Sequence, residues 1–292
     1  MKVALFGKVF SDDGVVYLQQ LIDKLHNTRC RLVVYEPFYK LIRNKISIKC
    51  DVNLFNTHKE LKDSANILFS IGGDGTLLDT ITLVRDTGLP VLGVNLGRLG
   101  FLSSISCDEI IPAIDHIIDG NFQLEKRTML TLEKPDGLFE DLNFALNELS
   151  ITKTDNNSLA VVNVHIDNHF LNTYWADGLI VATTTGSTAC SLSCFGPIIT
   201  PVCENFVITP IASHNLTVRP IVISDKSEIR ISVGGRNRQY LVGLDSRFRT
   251  IAQNQELVIR KAAFKLNLVQ LPNKDFYSTI REKLLWGKDH RN

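Results

Sequence analysis

Near residue 125 the hydrophobic rhythm of the chain changes, and this change limits the folds open to it. Before it, short apolar runs (Val3 to Phe6, Arg31 to Tyr35, Asn66 to Ile71, Pro90 to Val94) alternate with amphipathic stretches. In one of these, Val15, Leu18, Ile22 and Leu25 recur at helical spacing. Continuous apolar strands separated by amphipathic helices predict an α/β domain, a parallel sheet with helices on both faces. After the change, Asn143 to Thr152, Ala160 to Ile166, His169 to Trp175, Leu179 to Ala182, Glu228 to Val233, Gln239 to Val242 and Phe264 to Leu271 read as strands with no long helix between them. Ile229, Ile231 and Val233 alternate with Arg230 and Ser232, and Asp167-Asn168 marks a hairpin turn. This half predicts a β-rich domain, a sandwich or stacked sheets. Helical spacing returns over residues 276 to 286. The expected division is an α/β domain over 1–105, a β-rich domain over 106–270 and a C-terminal segment over 271–292.

Composition removes several classes of function. The 32 Lys and Arg residues balance 31 Asp and Glu, leaving a net charge of +1, whereas sequence-independent nucleic-acid binding rests on a surplus of cations. No apolar run approaches the ~20 residues of a membrane-spanning helix. Met1 to Lys8 reads as a first strand, not a signal peptide. The six cysteines (30, 50, 107, 190, 194, 203) form no C-x-x-C pair, so free thiols in a reducing cytoplasm are expected.

Chemistry concentrates first at Gly72-Gly73-Asp74-Gly75-Thr76, directly after an apolar strand and opening a helix. Glycines bring backbone N–H groups close to a ligand, and a helix N-terminus adds partial positive charge, so the turn suits a phosphate. The alternative is a tight strand-to-helix turn with Asp74 as its N-cap. A carboxylate beside a phosphate is unfavourable unless a divalent cation or a proton-transfer role offsets it. In phosphoryl transfer, Asp74 would take the proton of an acceptor hydroxyl while Mg²⁺ neutralises charge. Neither a P-loop nor a G-x-G-x-x-G fingerprint is present.

A second cluster follows the strand at Asp177-Gly178-Leu179-Ile180-Val181-Ala182, where Thr183-Thr184-Thr185-Gly186-Ser187-Thr188-Ala189 leads into Cys190-Ser191-Leu192-Ser193. Such hydroxyls and amides suit ribose or phosphate oxygens, or equally a capped helix start. The run is not a G-x-S-x-G elbow, which disfavours a serine hydrolase. A third signal, Asn147-Glu148, lies in an apolar stretch and alone carries no meaning.

Together and in this order these motifs resemble the ATP-dependent NAD kinase family. The match also takes in Gly97-Arg98-Leu99-Gly100-Phe101-Leu102, His214-Asn215-Leu216-Thr217-Val218-Arg219-Pro220 and Arg281-Glu282-Lys283-Leu284-Leu285-Trp286-Gly287, nearly the whole chain. The first turn alone is shared with diacylglycerol-type lipid kinases and phosphofructokinases. The resemblance implies transfer of the γ-phosphoryl group of ATP to the 2′-hydroxyl of the adenosine ribose of NAD, giving NADP, with Mg²⁺ accompanying ATP. Asp74 matches the family's proton acceptor. Gly72, Gly73, Gly75 and Thr76 form the phosphate turn. Asn147, Glu148, Asp177, Thr188, Ala189, Cys190, Ser191, Leu192, Ser193 and Ala212 fall on dinucleotide-holding positions. It further implies a site between the domains, a C-terminal segment packed on the first domain, and a homo-oligomer (dimer or tetramer) in which a neighbour completes the dinucleotide site. Three positions depart from the family: Cys190 stands for its tyrosine, Thr184 for its proline and Phe195 for its glycine. Two other functions compete. A lipid kinase would bind vesicles, against which the charge balance argues; a non-catalytic NAD(P)-binding regulator would bind without turnover.

Weaker features have plain readings. His165 and His169 flank the hairpin turn without further metal ligands nearby. Cys190 and Cys194, four apart, read as two buried thiols. His214 reads equally as structural or nucleotide-facing, and Glu125, Lys126 and Arg127 read as surface charges.

Overall fold

The computed structural model describes every residue except 9–11, 98–99, 104, 156–158, 237, 273 and 287–292. The chain divides into two compact units, Met1–Lys126 with Leu266–Asn292, and Arg127–Lys265. The stretch 106–126, assigned from sequence to the second domain, therefore belongs to the first unit, because its helix is buried there.

The first unit contains β1 (Lys2–Gly7), α1 (Gly14–Asn27), β2 (Arg31–Tyr35), α2 (Glu36–Ile42), β3 (Val52–Phe55), α3 (His58–Leu61), β4 (Ile67–Ile71), α4 (Asp74–Val84), β5 (Val91–Val94) and α5 (Ile110–Ile118). The five strands are parallel in the order β5-β4-β1-β2-β3. Side chains alternate across the sheet. Val3, Leu5, Leu32, Val34, Ile67 and Phe69 share one core with Leu18, Leu21, Ile22 and Leu25 of α1 and with Ile110, Ile114 and Ile117 of α5. Burying each such side chain contributes about 1.5–3 kcal/mol. Ser70 points to the other face and accepts a hydrogen bond from Thr80 of α4 at 2.8 Å, so helices cover both faces as expected.

The chain continues through β6 (Gln123–Lys134), β7 (Phe144–Ala145), β8 (Glu148–Lys153), β9 (Ala160–Ile166), β10 (His169–Ala176), β11 (Gly178–Thr183), α6 (Cys190–Ser193), β12 (Asn205–Ile211), β13 (Ile221–Ser224), β14 (Ile229–Gly235), β15 (Gln239–Leu244), β16 (Arg247–Ala252), β17 (Glu256–Gln270) and α7 (Phe276–Leu284). In the second unit, one antiparallel sheet has the order β13-β12-β11-β8-β15-β16. The strands β10-β9-β14 and the first part of β17 form another, also antiparallel. Leu149, Ile151, Leu179 and Val181 of one sheet and Val162, Val164, Ile229 and Ile231 of the other share a single apolar core, which is sandwich packing. The last part of β17 lies in the first unit, where Leu268 pairs in parallel with Val91.

Candidate active site

The Gly72–Thr76 turn stands between β4 and α4 at the C-terminal edge of the parallel sheet. Gly73, not Asp74, is the N-cap, and no side chain caps the helix. Asp74 is the first helical residue, so the reading of it as an N-cap is set aside. Its carboxylate instead accepts three consecutive backbone N–H groups: Phe101 on Oδ2 at 2.8 Å, and Leu102 and Ser103 on Oδ1 at 3.0 and 2.9 Å. A carboxylate offers about four acceptor positions. Three are used by the described residues, and the position left is on Oδ2. A side chain at Gly100 would overlap the Asp74 carboxylate, which is why the backbone can approach so closely there. Arg98 and Leu99 of the same motif lie outside the described residues, as does Gly287. By contrast, a Cβ on Gly73 or Gly75 would meet nothing within 4 Å. Packing within the unit does not demand glycine at those two positions, so their bare, exposed backbone fits an approaching ligand.

In the second unit an equivalent device appears. Asp245, in the turn between β15 and β16, accepts N–H groups from Leu146 at 2.8 Å, Asn147 at 2.8 Å and Glu148 at 3.2 Å. Sequence reasoning missed it. Leu244-Asp245-Ser246 reads as an ordinary hairpin turn, and its partners lie about a hundred residues away. Asn147 is fixed again from the far side, since its carbonyl accepts the Thr183 N–H at 2.8 Å. Gly186 lies so close that a Cβ there would overlap the Asn147 backbone. The hydroxyl run is thereby locked against Asn147-Glu148.

Within that run the side chains have two orientations. Ser187 and Ser191 are buried: Ser187 donates to the Thr184 carbonyl at 2.7 Å, and Ser191 pairs with Thr209 at 2.9 Å. These hydroxyls shape the loop. Thr188, Ala189 and Leu192 are half-buried, and Cys190 and Ser193 are exposed. Cys190 and Cys194 are thus not a buried pair. Arg127, read as a surface charge, is buried with Nη1 3.5 Å from Thr185 Oγ1. Phe195 has φ +63° and is 92% exposed, which explains why glycine suits this position in the family that the sequence resembles.

Burial sets the electrostatics here. Glu148 is only 7% exposed, and its Oε2 has no hydrogen-bond partner. Burial first, and then the neighbouring Asp245 charge, push the Glu148 carboxyl up to about 7, although hydrogen bonds from the Cys190 thiol and backbone N–H oppose the shift. Although Cys190 as a residue is exposed, its thiol is partly screened from water, and this desolvation first, then Glu148, push it up to about 11. Burial also raises Asp245, against the three N–H donors and Arg247.

Asp177 and Ala212 come together where β11 pairs with β12. The Asp177 N–H donates to the Ile211 carbonyl at 2.9 Å, and Ala212 follows with φ +45°. The Asp177 carboxylate is held by Lys153 at 2.6 Å. His214 donates its backbone N–H to Trp175, two residues from Asp177. His165 packs edge-on against Phe170, and no cluster of three His, Cys, Asp or Glu side chains among the described residues could hold a metal ion.

The ATP-NAD kinase N-terminal domain profile matches residues 15–122, and the C-terminal domain profile matches residues 146–271. An NAD kinase of Flavobacterium psychrophilum is 42% identical over 294 residues, covering all of both chains. The chain belongs to the ATP-NAD kinase family. An NAD kinase of Cytophaga hutchinsonii is likewise 42% identical over 297 residues, covering all of both chains. Two solved structures share the fold. A yeast NADH kinase complexed with NADH has TM-score 0.87 and 24% identity, with 100% of this chain and 89% of that one covered. An Archaeoglobus fulgidus NAD kinase in complex with ATP has TM-score 0.74 and 23% identity, with 98% and 99% covered.

Proposed function

We propose that this protein transfers the γ-phosphoryl group of ATP to the 2′-hydroxyl of the adenosine ribose of NAD, forming NADP. The observation that carries this reading is the Asp74 carboxylate, oriented by three N–H donors, with one acceptor position on Oδ2 not taken by the described residues and the bare Gly73 and Gly75 backbone beside it. Asp74 accepts the proton of the attacking hydroxyl, and the N-terminal amides of α4 receive phosphoryl oxygens. In the second unit, Asn147, Glu148, Asp177, Ala212 and the backbone from Thr188 to Ser193 hold the dinucleotide. A bound divalent cation would neutralise triphosphate charge. Asp74 is engaged by backbone N–H groups and Asp79 by Lys8, so the residues fit a cation chelated by ATP rather than one in a protein cage.

Among the described residues no helix is long and apolar enough to cross a membrane, and all six cysteines are free. A cytoplasmic setting is consistent with both. Phe195, Val202 and Leu216 are each more than four-fifths exposed, and contact between copies of this chain would cover them. Light scattering that returns the mass of a single chain would count against such an oligomer.

The deciding experiment incubates the protein with Mg²⁺, ATP and NAD and detects NADP with an NADP-specific dehydrogenase. NADP should accumulate, and Asp74→Asn should slow it by about 10²–10⁴-fold, the usual worth of a general base. Tight NAD binding with no NADP formed by the unmodified protein would instead favour a binding regulator.

A further inference from the structure

Lys8 follows directly on β1, and β1 ends beside β4 with Gly7 in register with Ile71. Lys8 and Gly72 therefore leave the sheet side by side, on strands spaced about 4.8 Å apart. The Lys8 ammonium reaches α4, where its Nζ lies 2.7 Å from Asp79 Oδ2. Asp79 is four residues after Gly75 and three after Thr76, so all three share one face of the helix. Helical side chains lean toward the N-terminus, which places the ion pair over the first turn of α4.

An ion pair this exposed adds little to stability: the Lys8 side chain is 55% exposed and that of Asp79 is 25% exposed. Its electrostatic value is local. A triphosphate at this turn meets the carboxylates of Asp74 and Asp79, both repulsive. Helix amides supply only partial positive charge, whereas lysine supplies a full point charge suited to phosphate.

We propose that Lys8 is the phosphate-binding cation of the Gly72–Thr76 turn, held by Asp79 and passed to the phosphoryl oxygens of ATP when the nucleotide enters. This rests on the NAD kinase reading for the identity of the nucleotide. Asp79 acts as a positioning residue that keeps the flexible lysine over the turn. No bond is made or broken in this exchange of ion-pair partners.

The test compares the unmodified protein with Lys8→Met and Lys8→Arg. Calorimetry measures the affinity of each for the magnesium complex of a non-hydrolysable ATP analogue, and steady-state kinetics give KM for ATP and for NAD separately. Lys8→Met should weaken the analogue and raise KM for ATP by about tenfold or more, the usual scale for losing a charge-assisted hydrogen bond. KM for NAD should stay within about twofold and the melting temperature should not move, while Lys8→Arg should recover most of the lost affinity. Unchanged analogue affinity in Lys8→Met overturns the assignment, whether or not the variant melts earlier, and so does a rise confined to KM for NAD. If the unmodified protein forms no NADP yet Lys8→Met weakens the analogue, the parent reading fails and the assignment of Lys8 stands.

Discussion

Asp74 and Asp245 are two versions of one device. Each carboxylate gathers three consecutive backbone N–H groups from a distant segment, residues 101–103 in the first unit and 146–148 in the second. They differ in access. Asp74 is half-buried beside glycines with open space around them, while the Asp245 side chain is 3% exposed. The same hydrogen bonds therefore leave one carboxylate able to meet a substrate and confine the other to holding Asn147 and Glu148 in place. Three donors on a carboxylate do not by themselves mark a catalytic group; solvent access separates Asp74, the proposed proton acceptor, from Asp245.

Isosteric substitution separates these roles with the largest effects. Asp74→Asn should lose about 10²–10⁴-fold in turnover with a modest change in stability. In Asp245→Asn the new amide nitrogen would confront the Leu146 N–H inside the unit, so the loss should appear in denaturant unfolding, about 1–3 kcal/mol. A stable but inactive Asp245→Asn, or an unstable but active Asp74→Asn, would erase the distinction.

The two devices also differ in how far sequence revealed them. Asp74 is legible because its glycines, helix start and preceding strand are contiguous, and local chemistry suffices to read them. Asp245 depends on pairings across some hundred residues, and a lone Asp in a hairpin turn carries no sign of what it holds. The same reason accounts for Arg127, whose burial beside Thr185 no local charge pattern shows. Strand periodicity revealed both fold classes. The boundary expected at 105 falls about twenty residues before the structural one, because the helical spacing of Ile110–Ile118 belongs with the α/β half and no local signal ties it there.

Glycine-to-alanine changes give the next test of the contrast. At Gly100 the new methyl would overlap the tip of the Asp74 side chain, which can rotate away. Turnover should fall roughly tenfold or more as the carboxylate loses its alignment, with little loss of stability. At Gly186 the methyl would meet the Asn147 backbone, which is held on both sides and cannot yield. There the cost should be mainly stability, about 1–3 kcal/mol as for other overpacked sites. Equal stability losses in the two variants would mean that the Asp74 carboxylate is as rigid as a backbone segment.

The smallest expected effect concerns what Asp245 does to its neighbour. Burial and the Asp245 charge raise the Glu148 carboxyl from 4.5 to about 7 in the folded protein, while the unfolded chain keeps the ordinary value. Between those two values the native state binds the extra proton, so the linkage relation makes stability fall as pH rises through this window. The contribution is fully present below the unfolded value and is lost above about pH 7. Raising the pH from ~6 to ~8 should therefore cost about 1 kcal/mol through this group alone. Glu148→Gln cannot ionise and should flatten that part of the stability profile, measured by denaturant unfolding at several pH values. Asp245→Asn should flatten it only in part, because burial, the larger cause, remains. A Glu148→Gln profile with the same slope as the unmodified protein would show that the proton taken up near neutrality belongs to another group.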